Sequence, residues 1–202
     1  MAYSDFNIRQ VQQVFHLKIE ERMGIFSEID EIPISDYFIT TLEENLPLAV
    51  SINTEKARSE LIISDVLIEV RKHFDRKISF FSGIEFTVDK DKDLTGYCDF
   101  LISLSPEQLF VKSPVVAVVE AKNENIMSGL GQCIAEMVAV RLFNEREGNE
   151  IPFTYGAVTS GVAWKFLKLV DNKVYLDLSD YSIETSPAQI IGILSHMVEQ
   201  KA

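Results

Sequence analysis

Three residues in the middle of the chain have the types and spacing to do chemistry together: Asp99, Glu120 and Lys122. The run Val115-Val116-Ala117-Val118-Val119-Glu120-Ala121-Lys122 reads as a strand. Strand side chains alternate, so Glu120 and Lys122 should share a face with Val116 and Val118, leaving Val115, Ala117, Val119 and Ala121 on the other. An apolar strand ending in an acid and an amine on one side calls for a partner, because a buried charge is costly unless paired or bound to a metal. Asp99 lies in the preceding strand, and a hairpin between the two would bring it up to Glu120. Carboxylates that close repel, and a divalent cation relieves the conflict. Asp99 and Glu120 are therefore expected to hold Mg²⁺ or Mn²⁺, with the Ala121 carbonyl completing the inner shell. Such an ion activates a water and stabilises charge on a phosphoryl oxygen. Lys122 would orient that water, help deprotonate it, or balance charge in the transition state.

The elements that must position these residues follow from changes of period. Residues 7–28 read as a helix with Ile8, Val11, Val14, Phe15, Leu17 and Ile19 near one side. A second helical segment runs from Ser35 to about Ala49 and is interrupted by Pro47. A third runs from about Thr54 to Phe74, capped by Asn53 or Thr54, with Glu55 in the dipole-favoured first turn. Residues 77–88, 97–104 and 114–122 then read as strands, with a charged turn over 88–96. Residues 126–146 return to helical spacing, and Ser128, Gln132 and Glu136 make a polar row at i, i+4 and i+8. Three strand-like runs follow, and Pro187 opens a final helix to about Gln200. The expected fold is α/β: a mixed central sheet flanked by helices, with extra N-terminal helices and a C-terminal helix. The helix after the third strand is a crossover to a parallel neighbour.

Length fits one domain over 1–202, divided into a helical part (about 5–75), a sheet core (about 77–180) and the last helix (about 187–200). An apolar content of 47% excludes a disordered chain. No apolar run reaches the ~18–20 residues of a bilayer span, and the polar N-terminus lacks a secretory pattern. An intracellular, cytoplasmic protein without a membrane role is expected. Cys98 and Cys133, each among apolar neighbours, read as buried free thiols, and His16, His73 and His196 form no ligand pair, so zinc is not expected. Nineteen basic against thirty-one acidic residues leave a net charge of −12, which argues against tight non-specific binding of a polyanion.

Asp99, twenty intervening residues and then Glu120-Ala121-Lys122 resembles the D-(x)n-(D/E)-x-K motif of the PD-(D/E)XK nuclease superfamily. The similarity runs from roughly Thr54 to Ser160 and includes the αβββαβ order of the restriction endonuclease-like core. The proline of the family name is missing; Gly96-Tyr97-Cys98-Asp99 looks like the Gly-x-x-Asp form of divergent members. The resemblance implies Mg²⁺-dependent hydrolysis of phosphodiester bonds in nucleic acid, DNA above all, in restriction, repair or mobile-element biology. It also implies two accessories: Glu60 as an acid on the helix before the sheet, joining the metal site, and Gln132 as the amide on the helix after it, beside the catalytic residues.

Other features read as ordinary structure. Asp89-Lys90-Asp91-Lys92-Asp93 is a solvated hairpin loop lacking the glycine and distal glutamate of a calcium loop. Arg71, Lys72, Arg76 and Lys77 crowd a helix end where cations are favoured. Lys165 and Lys168 are a second basic pair, Glu124 is solvated, and Trp164 belongs to the core. The competing function is a catalytically inactive module of the same fold that binds a protein or nucleic acid, in keeping with the charge of −12. Between the two lies an enzyme whose basic surface comes from a partner subunit or from a homodimer.

Overall fold

Period-two segments from both halves of the chain meet in one mixed sheet. The computed structural model, which describes residues 2–200, orders eight strands as β1-β7-β6-β5-β4-β3-β2, with β8 beside β6. They are β1 Lys18–Arg22, β2 Ser79–Glu85, β3 Tyr97–Ser103, β4 Val115–Ala121, β5 Thr154–Thr159, β6 Ala163–Val170, β7 Lys173–Asp177 and β8 Tyr181–Ser182. β2, β3 and β4 form an antiparallel meander, while β4 and β5 run parallel. The expected crossover joins them: α5, Leu130–Arg146.

The remaining helices are α1 Ile8–Val14, α2 Asp36–Ile52, α3 Glu55–Arg58, α4 Ser64–His73 and α6 Pro187–Glu199. A π-helical turn, Ser59–Ile63, joins α3 to α4 without a break. One apolar cluster packs α2, α3–α4 and α6 against a face of the sheet. The other packs α1 and α5 against the opposite face. The α/β class with a mixed sheet between helices is thus what the chain adopts. Residues 1, 201 and 202 of the expected domain span lie outside the described residues.

Three local expectations need correction, and a fourth is settled between its two alternatives. The helix expected over 7–28 stops at Val14, because His16 takes the left-handed conformation (φ 54°) and Lys18 N–H donates to the Asn172 carbonyl at 2.8 Å. The chain then enters β1, an edge strand parallel to β7, so Leu17 and Ile19 lie outside the helix. Pro47 does not interrupt α2, which continues to Ile52; the carbonyl it orphans, that of Glu43, belongs to an exposed residue that water can serve. Asn53 (φ 53°) closes α2, while Thr54 caps α3 by accepting from Ala57 N–H at 3.1 Å. The loop over 89–93 is more than solvated. Asp89 is 12% exposed and pairs with Arg146 of α5 at 2.7 Å.

The helix over Ile126–Arg146 is long and apolar enough to cross a bilayer, and 61% of its apolar window is buried within the fold. It is a core helix, pressed close to β5. A Cβ on Gly156 would fall 2.7 Å from Cys133 Sγ and 2.6 Å from Met137 Sδ. Both cysteines are free and buried, and Trp164 is fully buried.

Candidate active site

β4 is buried along its whole length and lies between β3 and β5. Its two borders end differently. On the β5 side the register continues through Glu120↔Val158 and Ala121↔Thr159, and Lys122 N–H still donates to the Thr159 carbonyl at 2.8 Å. On the β3 side the last rung is Phe100↔Val119. Asp99 takes over there with its side chain, accepting the Ala121 N–H on Oδ2 at 2.8 Å. The β2–β3 ladder also skips the rung that would join Gly83 to Asp99, and Gly83 stands at φ 60°, where glycine is favoured. Asp99 therefore sits where the sheet leaves room for a carboxylate.

The alternation expected along β4 holds only in part. Between Ile102 and Ser103 the β3–β4 register shifts, so that Val116 has no partner of its own. A bulge of this kind puts two successive residues on one side. Val116 accordingly joins Ala117, Val119 and Ala121 in the α2–α4–α6 cluster, while Val115 joins Val118 on the α5 side. Glu120 and Lys122 keep the face of Val118, turned toward α5, where their contacts lie.

Glu120 is 1% exposed. Its Oε1 receives the Lys122 ammonium, and its Oε2 is buried without a hydrogen-bond donor. Burial first, then the charge of Asp99, push its carboxyl up to about 8, against the pull of Lys122. Burial opposes the charge on Lys122 as well, but Glu120, Glu55 and Asp99 outweigh it and hold the amine above its usual range. Lys122 is an ammonium at neutral pH. Its stem lies against Gly129, where a Cβ would come within 3.0 Å of Lys122 Cε.

The network continues onto α5. Lys122 Nζ also reaches Gln132 Oε1 at 3.4 Å, and Gln132 Nε2 donates to Glu136 Oε1 at 3.1 Å. Glu136 is fully buried, its Oε2 has no partner, and burial followed by the charge of Glu120 drives its carboxyl well above the usual range. The i, i+4 row thus supplies a working pair: Glu136 fixes the amide of Gln132 with its oxygen toward Lys122. Ser128, the first member of the row, instead bonds the Asn125 carbonyl at 2.6 Å and is exposed.

The α3 helix borders the site differently from expectation. Glu60 is 62% exposed and pairs with Lys56 at 3.5 Å, on the solvent side. Glu55, one turn earlier, is the helix acid whose charge reaches Glu120 and Lys122. Arg58 is 8% exposed and, among the described residues, meets neutral acceptors: Asn123 Oδ1 at 3.1 Å, the Ser160 carbonyl at 3.0 Å and Asn53 Oδ1 at 3.0 Å. It ties the start of α3 to the ends of β4 and β5. Glu124 accepts from Asn53 Nδ2 at 3.3 Å.

The structure thus brings Asp99, Glu120, Lys122 and Gln132 together and leaves Glu60 outside. Ala121, expected to offer its carbonyl, contributes its N–H to Asp99. Among the described residues, no three His, Cys, Asp or Glu side chains stand as a group able to hold a metal ion. What fits a hard cation is narrower: the donor-less Oε2 of Glu120 and the nearby charge of Asp99. Sequence reasoning passed over Glu55, Arg58 and the role of Glu136. Glu136 was visible only as the third member of a polar row, and Arg58 left no signal. The chain matches no protein-family model and no curated protein.

Proposed function

We propose that this chain is a Mg²⁺- or Mn²⁺-dependent nuclease of the PD-(D/E)XK type, hydrolysing phosphodiester bonds in nucleic acid, DNA above all. The observation that carries the reading is the buried, donor-less Oε2 of Glu120 beside Asp99, with the Lys122 ammonium on the other carboxylate oxygen. The order α3–α4, β2, β3, β4, α5, β5 supports it, being the αβββαβ order of the restriction endonuclease-like core.

Asp99 and Glu120 would hold the cation, and Glu55 takes the place first given to Glu60. When bound, the cation supplies Lewis-acid charge and lowers the pKa of a water. Lys122 starts as an ammonium, so its part is to orient a water by donation and to offset charge on the phosphoryl oxygens, not to take the first proton. Gln132, fixed by Glu136, keeps the ammonium aimed. Glu120→Ala and Lys122→Ala should each lower cleavage of DNA in Mn²⁺ by roughly 10³-fold or more. Cutting at the parent rate by both variants would refute the reading.

A second reading has its own support: an inactive module that keeps the fold and binds a partner. The net charge of −12 and the lack of a three-ligand group among the described residues favour it. Calorimetry with Mn²⁺ separates the two. Binding that is lost in Asp99→Ala supports the enzyme, and no heat of binding supports the module.

A further inference from the structure

Positive charge gathers at one corner of a strongly acidic molecule. A hollow of about 380 Å³ lies between the C-terminal end of α4 and the edge strand β2, lined by Ile68, Arg71, Lys72, Arg76, Phe80 and Gln108. That lining holds three cations and no acid, in a chain whose acids outnumber its bases by thirty-one to nineteen. The backbone brings two of the cations together. Asp75 and Arg76 both take the left-handed conformation (φ 51° and 60°), which disfavours residues other than glycine. The turn they make lets Arg76 N–H donate to the Arg71 carbonyl at 2.9 Å.

Neither arginine meets a carboxylate among the described residues. Arg71 uses Nε on the Ile78 carbonyl at 3.0 Å, and Arg76 is exposed. The charges around them are already matched, Lys72 with Glu69 at 3.4 Å and Lys77 with Asp75 at 3.5 Å. A helix end favours positive charge, but two neighbouring guanidiniums repel, and an incoming anion relieves them. Beside the hollow, the loop after β3 holds apolar side chains out in water. Glu107 Oε1 accepts the N–H groups of Gln108 and Leu109 at 2.9 Å each, and Gln108 Nε2 donates to the Phe80 carbonyl at 2.6 Å. The loop fixed in this way leaves Leu109 91% and Phe110 57% exposed, while Ile68 in the wall of the hollow is 39% exposed.

We propose that this corner docks a segment of a partner protein that carries both acidic and apolar residues. Its carboxylates meet Arg71 and Arg76, and its apolar side chains meet Ile68, Leu109 and Phe110. Guanidinium forks match carboxylates in pairs of hydrogen bonds, and exposed apolar groups rimmed by charge are what protein partners cover. A second copy joined through the same face would set arginine against arginine across a two-fold axis, so the occupant is a different chain. Nucleic acid would satisfy the cations but leave Leu109 and Phe110 in water. The corner is also no extension of the candidate active site. It stands at the Ser79 end of β2, level with Val115 of β4, whereas Glu120 lies roughly 16 Å further along that strand and faces α5.

The probe is a fluorescein-labelled peptide, Glu-Glu-Leu-Phe-Asp-Glu, titrated with the full chain and followed by anisotropy at about 50 mM NaCl. Saturable binding is expected with Kd below about 1 mM, weakening severalfold at about 300 mM NaCl. Arg76→Glu should weaken it by about tenfold or more with Tm unchanged, since the side chain is exposed. Lys90→Glu makes the same change of charge in the loop beyond the other end of β2 and should leave Kd within about twofold. Leu109→Ser combined with Phe110→Ser should cost about fivefold or more. Absence of saturable binding, equal losses in Arg76→Glu and Lys90→Glu, or an unchanged Kd in the Leu109, Phe110 variant would each overturn the proposal. So would a single-stranded oligonucleotide that binds more tightly than the peptide and is likewise lost in Arg76→Glu. Because the corner shares no residue with the Asp99–Glu120 cluster, its failure and that of the nuclease reading are read separately.

Discussion

Glu120 has two oxygens with opposite fortunes. Oε1 shares the Lys122 ammonium, and Oε2 is buried without a donor among the described residues. Raising its carboxyl from 4.5 to about 8 means that the folded chain keeps a proton the unfolded chain has already released. Stability contributed by this group is therefore full below about pH 4.5, falls as pH rises toward about 8, and is flat beyond. Glu120→Gln keeps the shape and removes the titration. In EDTA, urea unfolding should find it more stable than the parent at pH 8, by on the order of 4 kcal/mol, with the gap narrowing to under about 1 kcal/mol by pH 5. Glu136 is raised partly by the charge of Glu120, so the variant relieves that share as well, and the two contributions widen the gap in the same direction. A parent–variant gap that does not change between pH 5 and 8 would contradict the assignment.

The same scale shows what the sequence could reveal of the site. Asp99, Glu120 and Lys122 were legible because charge inside an apolar strand is conspicuous in one dimension. Glu60 and Glu55 were not separable, since both are acids on one helix and only the phase of that helix against β4 decides which faces the cluster. Arg58 was invisible because its partners, Asn53, Asn123 and Ser160, come from three separate segments.

At the scale of elements, strands whose apolar residues are buried on both faces were readable from composition, as in β4 and β5, and so was the α5 crossover. β1 was not. Its residues Lys-Ile-Glu-Glu-Arg are those of an exposed edge, and its strand character comes from pairing with β7, more than 150 residues away. The bulge at Val116 was hidden for a similar reason, since it arises from register against β3.

Asp177 is the counterpart to β1 at the far end of this pairing. Fully buried, it accepts from the N–H groups of Gly24, Phe26 and Ser179 at 2.8–3.0 Å and from the Tyr181 hydroxyl at 2.9 Å. Burial works against its charge, but these donors prevail and hold its carboxyl below the ordinary range. It fixes the segment after β1 to the end of β7. Asp177→Ala strands three donors, since the Gly24 N–H keeps Ser179 Oγ at 2.8 Å, and should cost roughly 3 kcal/mol in urea unfolding at pH 7. The stabilisation is present above the unfolded value of 3.8 and is lost as pH falls through the lower folded value, so the difference should vanish in strong acid. A loss under about 0.5 kcal/mol at pH 7 would show that the segment is held by other means.

At the scale of the whole molecule, thirty-one acidic residues offer a divalent cation many places to settle, and most of them are solvated. Exposed carboxylates hold such ions weakly because water competes for the same lone pairs. Glu120 differs in being buried, destabilised by the charge of half-buried Asp99 and short of a donor on Oε2. On the proposed reading, a charge of −12 requires that positive charge be supplied to DNA locally, by a bound cation, by the Lys122 ammonium, or by a second subunit. Anomalous diffraction from crystals soaked in Mn²⁺ puts this directly. The strongest peak should lie between the carboxylates of Asp99 and Glu120, about 2.1 Å from an oxygen of each, and disappear in Asp99→Ala crystals. Mn²⁺ found only on surface acids, with Glu120 still closed on Lys122, would contradict the account.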